Sequence, residues 1–563
     1  MDDADSVHAE VAREMVARHD WITLHANGIR YLEKAPLMYW SIAASFTLFG
    51  AEDWAARMPL AIATLALFLV VYETGRRMFA SDIAGFYAAL ILLTSFGIFI
   101  YTRIIIPDVI VCLWLSLAIL LFWISLEQPQ PSRWTAWGFA AACALNVLTK
   151  GLIGVVFPLA VVIIFLLVNR NIGHLRRWHP FSSVLVFLLI ALPWHIAAGI
   201  VNPAQGNPNG TMPAPGNVHG FFWFYFVNEH LLRYLNRRVP RDYDTVPLVL
   251  FWGLLAVWLV PWIVFVFKAI VPDRIDQAWK LLGIWAAVVM LFFSFSTRQE
   301  YYALPALPPL ALMIGGWLNR EEDCPASDPL RIAGRRIAVV LFLLGAAGGL
   351  LAAFLAIRAQ PLAPGVDLSS LLTQNPGDYA LSLGHFLDLS TRAMSAFRVP
   401  LILTSIALVV GTLANVILRF VDRVRMGNYA LFAMMVVFLI AAHMALVTFS
   451  PVLSSKALAD AIRPRLQAGD VVEIHGEYEA GSTLGFYLRR QVRILDGRSS
   501  DLWYGSFFSD SPQIFDDDAG FRRLWNGPQR IFLWTPLDQV PELPGPAYAI
   551  AQSGGKEILS NRR

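Results

Sequence analysis

Residues that could do chemistry gather in five short stretches, each at the edge of a long apolar run. Carboxylates in such places supply general bases or metal ligands, and lysine, arginine and histidine supply positive charge for an anionic leaving group. The stretches are RYLEKAPLMYW (30–40), TRIIIPDV (102–109), LTKGL (148–152), FFWFYFVNEHLLRYLNRR (221–238) and FSTRQEYYALPALPPLAL (295–312). Their candidate site residues are Glu33, Lys34, Arg103, Asp108, Lys150, Glu229, His230, Arg233, Arg298 and Tyr302.

Each stretch, taken alone, also has a purely structural explanation. Lys34 could be an interfacial anchor whose aliphatic stem lies on apolar surface. Asp108 follows Pro107, and an aspartate at a helix start satisfies free amides and complements the helix dipole. The segment 221–238 could be an interfacial helix with an aromatic belt. A carboxylate at a membrane boundary is nevertheless a functional candidate.

The elements that must position these residues are membrane helices. The chain has 563 residues, of which 57% are hydrophobic and 15% charged, whereas a soluble globular protein has about 25% charged residues. Apolar stretches long enough to span a bilayer recur along it, which predicts an all-α polytopic membrane protein; a β-barrel would show short alternating segments. The net charge of +3 gives no argument for nucleic-acid binding. Three scattered cysteines indicate no disulfide framework and no cysteine zinc site.

Twelve membrane spans are expected. They cover residues 58–78, 83–101, 108–126, 133–148, 151–168, 180–200, 246–267, 278–296, 303–318, 336–357, 397–419 and 428–450. The apolar run 37–50 is too short to span and is expected to form an interfacial helix.

Basic residues fix the orientation of these spans. They follow the first, third, fifth, seventh, ninth and eleventh spans, which places those loops in the cytoplasm. The residues are Arg76, Arg77, Arg133, Arg170, Arg176, Arg177, Lys268, Arg274, Lys280, Arg320, Arg331, Arg335, Arg336, Arg419, Arg423 and Arg425. The amino terminus, residues 102–107, 201–245, 297–302 and 358–396, and the tail after 451 are then external. All candidate site residues therefore share the external side.

The chain begins MDDADSVHAEVAREM, a cluster of carboxylates that includes Asp3 and Asp5. An external amino terminus without a signal peptide predicts a thirteenth helix ahead of Met1; the alternative is that the short acidic head is itself translocated. We expect three domains: residues 1–57, a first external loop with juxtamembrane helices and an acidic catalytic motif; 58–450, the transmembrane domain; and 451–563, a soluble external α/β domain. In the last, DVVEIHGEYEAGSTLGFYLRRQVRILDG predicts strand, helix, strand.

The clustering of the candidate site residues on the external side of the membrane favours a group-transfer enzyme. A lipid-linked phosphate keeps its tail in the bilayer and its head at the interface, where these residues lie, so the arrangement suits transfer from a polyprenyl-phosphate donor. The alternative is a transporter or lipid flippase, but transporters place charges near the midplane, often on broken helices. A structural membrane scaffold would not need ordered charged motifs on one side.

The motifs resemble those of bacterial membrane glycosyltransferases of the GT-C fold, namely glycosyltransferase family 39, ArnT-like proteins and the related protein O-mannosyltransferases. The resemblance extends across roughly residues 2–315, with the pieces in order and similarly spaced. The matching pieces are HAEVAREM with DW at 20–21, GIRYLEKAPLMYW, LFG followed by AARMP, RIIIPDV, LTKG, NEHLLRYL and YYALPALPPLAL. The family has thirteen helices, with an acidic first external loop directly after the first helix.

The resemblance implies a role for each candidate. An acidic first-loop residue is the general base, and Asp108 orients the acceptor or contributes to a divalent metal site. Lys34 contacts the donor phosphate, with Arg103, Lys150, His230 and Arg298 as further contacts. The partners implied are a sugar on a polyprenyl phosphate of the undecaprenyl type and a cell-envelope acceptor such as lipid A, a glycolipid, a glycan or a protein. Direct displacement would invert the anomeric carbon, at the external face of a bacterial inner membrane.

Two positions depart from the family pattern. The family reads Asp-Glu, two variable residues, an aromatic residue and then Ala-Glu. Alignment on Ala9 and Glu10 puts Ala4 at the aspartate position and Asp5 at the glutamate position. Either the loop is longer here and Asp3 is the base, or Asp5 serves. Arg298 stands where relatives often have lysine, and the two cations differ in geometry.

Overall fold

The fold is described from a computed structural model that covers residues 1–241, 245–270, 276–359, 367–372, 390 and 392–563. The predicted basic residue Arg274 and most of the predicted external segment 358–396 lie outside these residues.

The chain before the first long helix folds into a compact layer. Asp2 caps the first helix by accepting a hydrogen bond from the Asp5 amide at 2.7 Å. A short hairpin follows, and then the helix expected at 37–50. The elements are α1 (Asp3–Arg18), β1 (His25–Ala26), β2 (Ile29–Arg30) and α2 (Leu37–Phe49).

Apolar helices form the membrane part. In chain order they are α3 (Asp53–Met78), α4 (Asp82–Leu93), α5 (Phe96–Tyr101), α6 (Asp108–Glu127), α7 (Arg133–Lys150), α8 (Ile153–Val168), α9 (Gly173–Arg177), α10 (Pro180–Val201), a π-helix (Trp223–Leu232), α11 (Leu248–Trp258), α12 (Ile263–Ala269), α13 (Gln277–Ser294), a 3₁₀ helix (Glu300–Ala306), α14 (Leu307–Asp323), α15 (Pro329–Arg358), two further 3₁₀ turns (Leu368–Leu371 and Ala393–Phe397), α16 (Arg398–Phe420) and α17 (Val424–Leu453). Small residues let them approach closely: a Cβ on Gly75 of α3 would lie 2.8 Å from the Gly85 Cα of α4.

All twelve predicted spans fall on helical segments. Within the described residues, eight helices are long and apolar enough to cross a membrane, and α11 with α12, bent by 100° at their junction, would make a ninth. The other three predicted spans correspond to α4 with α5, to α7 and to α8. The structure therefore confirms a polytopic helical membrane protein, and the count of twelve stays a prediction.

The tail forms a mixed α/β unit, as predicted. The elements are α18 (Lys456–Ile462), β3 (Val471–His475), α19 (Thr483–Leu488), β4 (Arg493–Leu495), α20 (Ser500–Trp503), β5 (Phe515–Asp516), α21 (Asp518–Trp525), β6 (Ile531–Pro536), β7 (Tyr548–Ser553) and β8 (Lys556–Ser560). The six strands follow the order β5-β4-β3-β6-β8-β7, with β3 parallel to β4 and β6, and β8 antiparallel to β6 and β7. The predicted strand, helix and strand are β3, α19 and β4.

This carboxyl-terminal domain packs directly on the amino-terminal layer. The Asn27 side-chain amide donates to the Val492 carbonyl at 2.9 Å, and its carbonyl accepts from the Val492 amide at the same distance. The Phe224 ring of the π-helix stacks on Tyr504, with centroids 3.8 Å apart. The domain thus braces both the first loop and the segment that carries the π-helix.

Candidate active site

A cavity of about 170 Å³ opens where several helices end on one side of the bundle. Its walls come from α1, the start of α2 and the loop before it, the start of α6, the end of α7, the start of α8, the π-helix, the end of α13 and the 3₁₀ helix before α14. Eight of the sequence-predicted site residues line it: Glu33, Lys34, Asp108, Lys150, Glu229, His230, Arg233 and Tyr302. Five stretches far apart in the chain therefore supply one site.

The cavity contains an ion pair between the ends of two membrane helices. Lys150, at the end of α7, donates to Asp108 Oδ1 at 2.5 Å. Asp108 is buried and its Oδ2 accepts no hydrogen bond from any described residue, so one carboxylate oxygen remains available. The Lys150 ammonium also lies 4.9 Å from the ring centroids of both Tyr301 and Tyr302.

A second charged network joins the first loop to the π-helix. Lys34 pairs with Glu33 at 2.7 Å, and Arg238 bridges Glu33 (2.5 Å) and Glu229 (2.7 Å). Arg233 pairs with Glu229 at 3.1 Å. Burying this many charges is tolerable because each finds an opposite partner.

The network also fixes protonation states. Burial by itself would raise the pKa of Glu33, but the charges of Lys34 and Arg238 outweigh it and hold that pKa below the usual range. Burial would lower the pKa of Lys34, but the negative charges around it, first that of the Glu33 carboxylate, together outweigh burial and hold that pKa above its usual range. Glu33 is therefore an anion and Lys34 a cation at neutral pH.

The π-helix places His230 on the cavity wall. Helices of this type are rare and often occur at functional sites. His230 Nδ1 lies 2.6 Å from the Tyr225 carbonyl, which can only accept, so Nδ1 carries the hydrogen and Nε2 carries a lone pair. Burial lowers the pKa of His230 to about 4, so the ring is neutral at pH 7. It therefore presents an acceptor rather than a positive charge.

Gly151, which ends α7, lets the His230 ring approach. Its φ is +78°, and an added Cβ would lie 1.9 Å from His230 Nε2. Gly151→Ala is therefore expected to displace His230 and to cost about 1–3 kcal/mol of stability. Thermal unfolding of the detergent-solubilised protein measures this cost. Gly283→Ala is the matched control, since nothing lies within 4 Å of its added Cβ; equal stability of the two variants would contradict the close approach.

Asp3 lies outside the cavity, in the contact with the carboxyl-terminal domain. Its Oδ2 accepts from Lys556 at 2.6 Å and from Ser455 at 2.9 Å. Its Oδ1 accepts from both the amide and the hydroxyl of Thr483. All the contacts of this carboxylate therefore serve the junction between the two parts of the fold.

Asp5 is also buried and is held away from the cavity. Its Oδ1 accepts from the Ile105 amide at 2.8 Å, and its Oδ2 pairs with Arg57 at 3.1 Å. Burial, with a smaller effect from Asp2, raises the pKa of Asp5 to about 8. The residue fastens α1 to the loop between α5 and α6.

The two remaining predicted cations hold backbone carbonyls. Arg103 donates to the Phe99 carbonyl at 2.7 Å and lies over the Phe99 ring at 3.5 Å. Arg298 donates to the carbonyls of Val246 (2.8 Å), Ser294 and Ser296. Neither lines the cavity.

Other residues of the site carried no clear signal in the sequence. Arg238, which links Glu33 and Glu229, looks like one of several loop arginines. His8 of α1 lines the cavity beside Tyr39, and only its place in the first-loop motif could have pointed to it. Within the described part of the chain, no three His, Cys, Asp or Glu residues stand close enough together to hold a metal ion.

Several known transferases are similar to this chain in sequence. Residues 33–196 match the family described as dolichyl-phosphate-mannose-protein mannosyltransferase. An undecaprenyl phosphate-alpha-4-amino-4-deoxy-L-arabinose arabinosyl transferase of Edwardsiella ictaluri is 29% identical over 365 residues, which are 62% of this chain and 60% of that protein. The protein of the same name from Shewanella sediminis is 30% identical over 60% of this chain and 61% of its own length. The chain thus matches about three fifths of each relative.

The structure of ArnT from Cupriavidus metallidurans bound to undecaprenyl phosphate superposes with a TM-score of 0.79, covering 99% of this chain and 93% of that one at 22% identity. Its apo structure gives 0.78. At this identity the likeness shows a shared fold. The fold indicated by the sequence motifs is confirmed: the chain shares the helical membrane fold of ArnT, and its sequence is similar to those of the arabinosyl transferases and of the dolichyl-phosphate-mannose-protein mannosyltransferase family.

Proposed function

We propose that this protein transfers a sugar from a polyprenyl-phosphate donor to an acceptor in the cell envelope. The observation that carries the proposal is the single cavity in which Lys34, Lys150 and Arg233 face Asp108, whose carboxylate is only half satisfied. The matched relatives, named as transferases of undecaprenyl phosphate-linked aminoarabinose, support the donor class. The acceptor is proposed to be lipid A, another glycolipid, a glycan or a protein.

The charge balance of the cavity suits this reaction. Three cations and three carboxylates line it, and His8 and His230 are neutral, so the charges of the site itself nearly cancel. When the bond from the anomeric carbon to the phosphate oxygen breaks, negative charge grows on the phosphate. Lys34, Arg233 and Lys150 are placed to stabilise that charge in a partly buried setting.

Asp108 is proposed to orient the acceptor. Its unpartnered Oδ2 can accept a hydrogen bond from an incoming hydroxyl or amine while Oδ1 is held by the Lys150 ammonium. Attack from the side opposite the phosphate gives inversion at the anomeric carbon.

An apolar groove of about 500 Å³ offers a place for the polyprenyl chain. It runs between α11, α12, α13 and α14, from Lys280 to Met290 along α13, and the cavity wall continues along that helix at Phe292 and Phe293. A chain in the groove would thus keep its phosphate near Lys34.

Gly283→Trp is expected to obstruct this groove, since Gly283 lines it and nothing occupies the space beyond its Cα. We expect use of a long-chain donor to fall about tenfold, while a donor with a short chain is used as before. Steady-state kinetics with the two chain lengths measure this. Leu343→Trp is the control, because Leu343 is 61% exposed on the lipid-facing side of α15. Equal losses with both donors would place the chain elsewhere.

We further propose that the cavity and the carboxyl-terminal domain face the periplasm of the inner membrane. In α3, Asp53 lies on the cavity side next to Lys456, and Arg76 and Arg77 end the helix on the other side. Basic helix ends favour the cytoplasm. A cysteine-reactive, membrane-impermeant label on a carboxyl-terminal tag is expected to react in intact spheroplasts; labelling only after lysis would reverse the orientation.

The deciding experiment uses the purified protein in lipid with a series of radiolabelled polyprenyl-phosphate sugars and a bacterial envelope extract as acceptor. Transfer of label from one donor into an acceptor, with release of polyprenyl phosphate, supports the proposal. No transfer from any donor by protein that binds undecaprenyl phosphate would overturn it.

A further inference from the structure

Displacement by a hydroxyl needs a proton acceptor, and the two first-loop carboxylates predicted for that role, Asp3 and Asp5, lie outside the cavity. Asp3 is occupied by Lys556, Ser455 and Thr483, and Asp5 by Arg57 and the Ile105 amide. Alanine stands at position 4, where the family pattern has aspartate. If the proposed function holds, the base must therefore come from another residue.

His8 lies where such a base is needed. It follows position 4 by one helical turn on α1, and residues four apart share a helix face. Its ring lines the cavity together with Lys34 and Asp108. Nδ1 lies 2.9 Å from the Tyr39 hydroxyl, and Nε2 makes no hydrogen bond with any described residue. Tyr39 thus fixes Nδ1, and Nε2 is available to an acceptor.

We propose that His8 is the general base of this protein, with Tyr39 as its positioning residue. The proposal rests on the transfer reaction proposed above. For Nε2 to accept a proton, Nδ1 must carry the ring hydrogen and donate a hydrogen bond to the Tyr39 oxygen. Tyr39 is fully buried, its ring meets Tyr31 edge-on at 6.3 Å, and the Tyr31 hydroxyl donates to Asp501 at 3.2 Å. The carboxyl-terminal domain thereby supports the orientation of the His8 ring.

The step is balanced. The acceptor oxygen forms a bond to the anomeric carbon, and the bond from that carbon to the phosphate oxygen breaks. Its electron pair stays on the polyprenyl phosphate. The acceptor proton moves to His8 Nε2, and it leaves afterwards to solvent.

The charges around His8 make its basicity depend on the donor. Burial and then the Lys34 cation lower the pKa of His8 to about 3, with Glu33 opposing them, so the ring is neutral and its lone pair is free. A donor phosphate beside Lys34 adds negative charge near the ring and raises the pKa of His8 towards neutrality. Tyr39 on α2 and Asp108 on α6 are further titratable groups of the cavity lining. A stronger base therefore forms only when the donor is bound.

The test is single-turnover transfer from an undecaprenyl-phosphate sugar between pH 5 and pH 9, to an acceptor that carries hydroxyls and no phosphate. His8→Phe is expected to lower the rate constant at least about 100-fold while undecaprenyl phosphate still binds as in wild type. His8→Asn keeps a hydrogen-bonding group near the position of Nδ1 and is expected to be as slow. His8→Glu is expected to restore part of the rate with an altered pH profile. His25→Phe, a first-loop histidine outside the cavity, is the control.

Two results would overturn the proposal: a His8→Phe rate within about threefold of wild type, or loss of transfer in folded, donor-binding Asp5→Asn while His8→Phe stays active. Failure of the wild type to transfer any sugar would instead overturn the proposed function itself. The two failures are thus distinguished by the wild-type reaction.

Discussion

Lys34→Ala is expected to weaken donor binding about 50-fold, because an interaction with a charged group contributes about 1.5–3 kcal/mol and each 1.4 kcal/mol is a factor of ten. Lys34 is partly exposed to the cavity and lies 2.7 Å from Glu33. Its removal leaves Glu33 paired with Arg238 alone, so the site loses one positive charge beside the proposed phosphate position. Acceptor binding, which does not depend on that charge, is expected to change little.

Equilibrium binding of undecaprenyl phosphate, together with KM values for donor and acceptor, measures this difference. Because Glu33 raises the pKa of Lys34, the ammonium stays protonated throughout pH 6–9, and the loss is expected to be equally large across that range. Lys456→Ala is the matched control: Lys456 pairs with Asp53 at 3.3 Å, outside the cavity. Equal donor affinity in Lys34→Ala and wild type would contradict a phosphate contact.

Grouping of the candidate residues on one side could be predicted from sequence, because successive spans alternate in direction and each loop's side follows from its charges. Lys34, Asp108, Lys150 and His230 come from separate loops, and the structure brings all four to one cavity. The strand, helix and strand of the tail could also be predicted from the sequence, since turn residues and apolar runs are local signals.

Contacts between distant parts of the chain could not be predicted in this way. The sequence predicts Asp3 as a candidate catalytic carboxylate, and it does not reveal that Lys556, 553 residues later, pairs with it. Asp5 depends in the same way on Arg57 and on a backbone amide at Ile105. Acidity is visible in a sequence, but whether a carboxylate is already satisfied depends on tertiary structure.

Backbone irregularities were hidden for a related reason. A π-helix has no reliable sequence pattern, yet it sets the direction of Glu229 and His230. The predicted span 246–267 is in fact two helices bent by 100°. Hydropathy reports the apolar length of a segment, and neither its helix type nor its bend.

Asp108→Asn is expected to lower transfer by about 10³-fold, the middle of the range for groups that handle or orient protons. The amide cannot be an anion, so Lys150 loses its charged partner, and an NH₂ group at the Oδ2 position cannot accept a hydrogen bond from the acceptor. Lys150 is 21% exposed and faces the cavity, so the freed ammonium is solvated and remains available to the donor phosphate.

This situation gives a signature that a folding defect would not produce. Donor binding in Asp108→Asn is expected to stay equal to wild type or to become tighter, because the donor phosphate no longer competes with a carboxylate for Lys150. The single-turnover rate is expected to fall sharply at the same time. Asp470→Asn is the control: Asp470 is buried and pairs with Arg530 at 2.6 Å in the carboxyl-terminal domain. It is expected to lose comparable thermal stability and to keep its transfer rate. Near-normal transfer in Asp108→Asn would show that Asp108 has no part in the mechanism. If Asp470→Asn lost transfer to the same extent, reduced stability rather than removal of the Asp108 carboxylate would explain the loss.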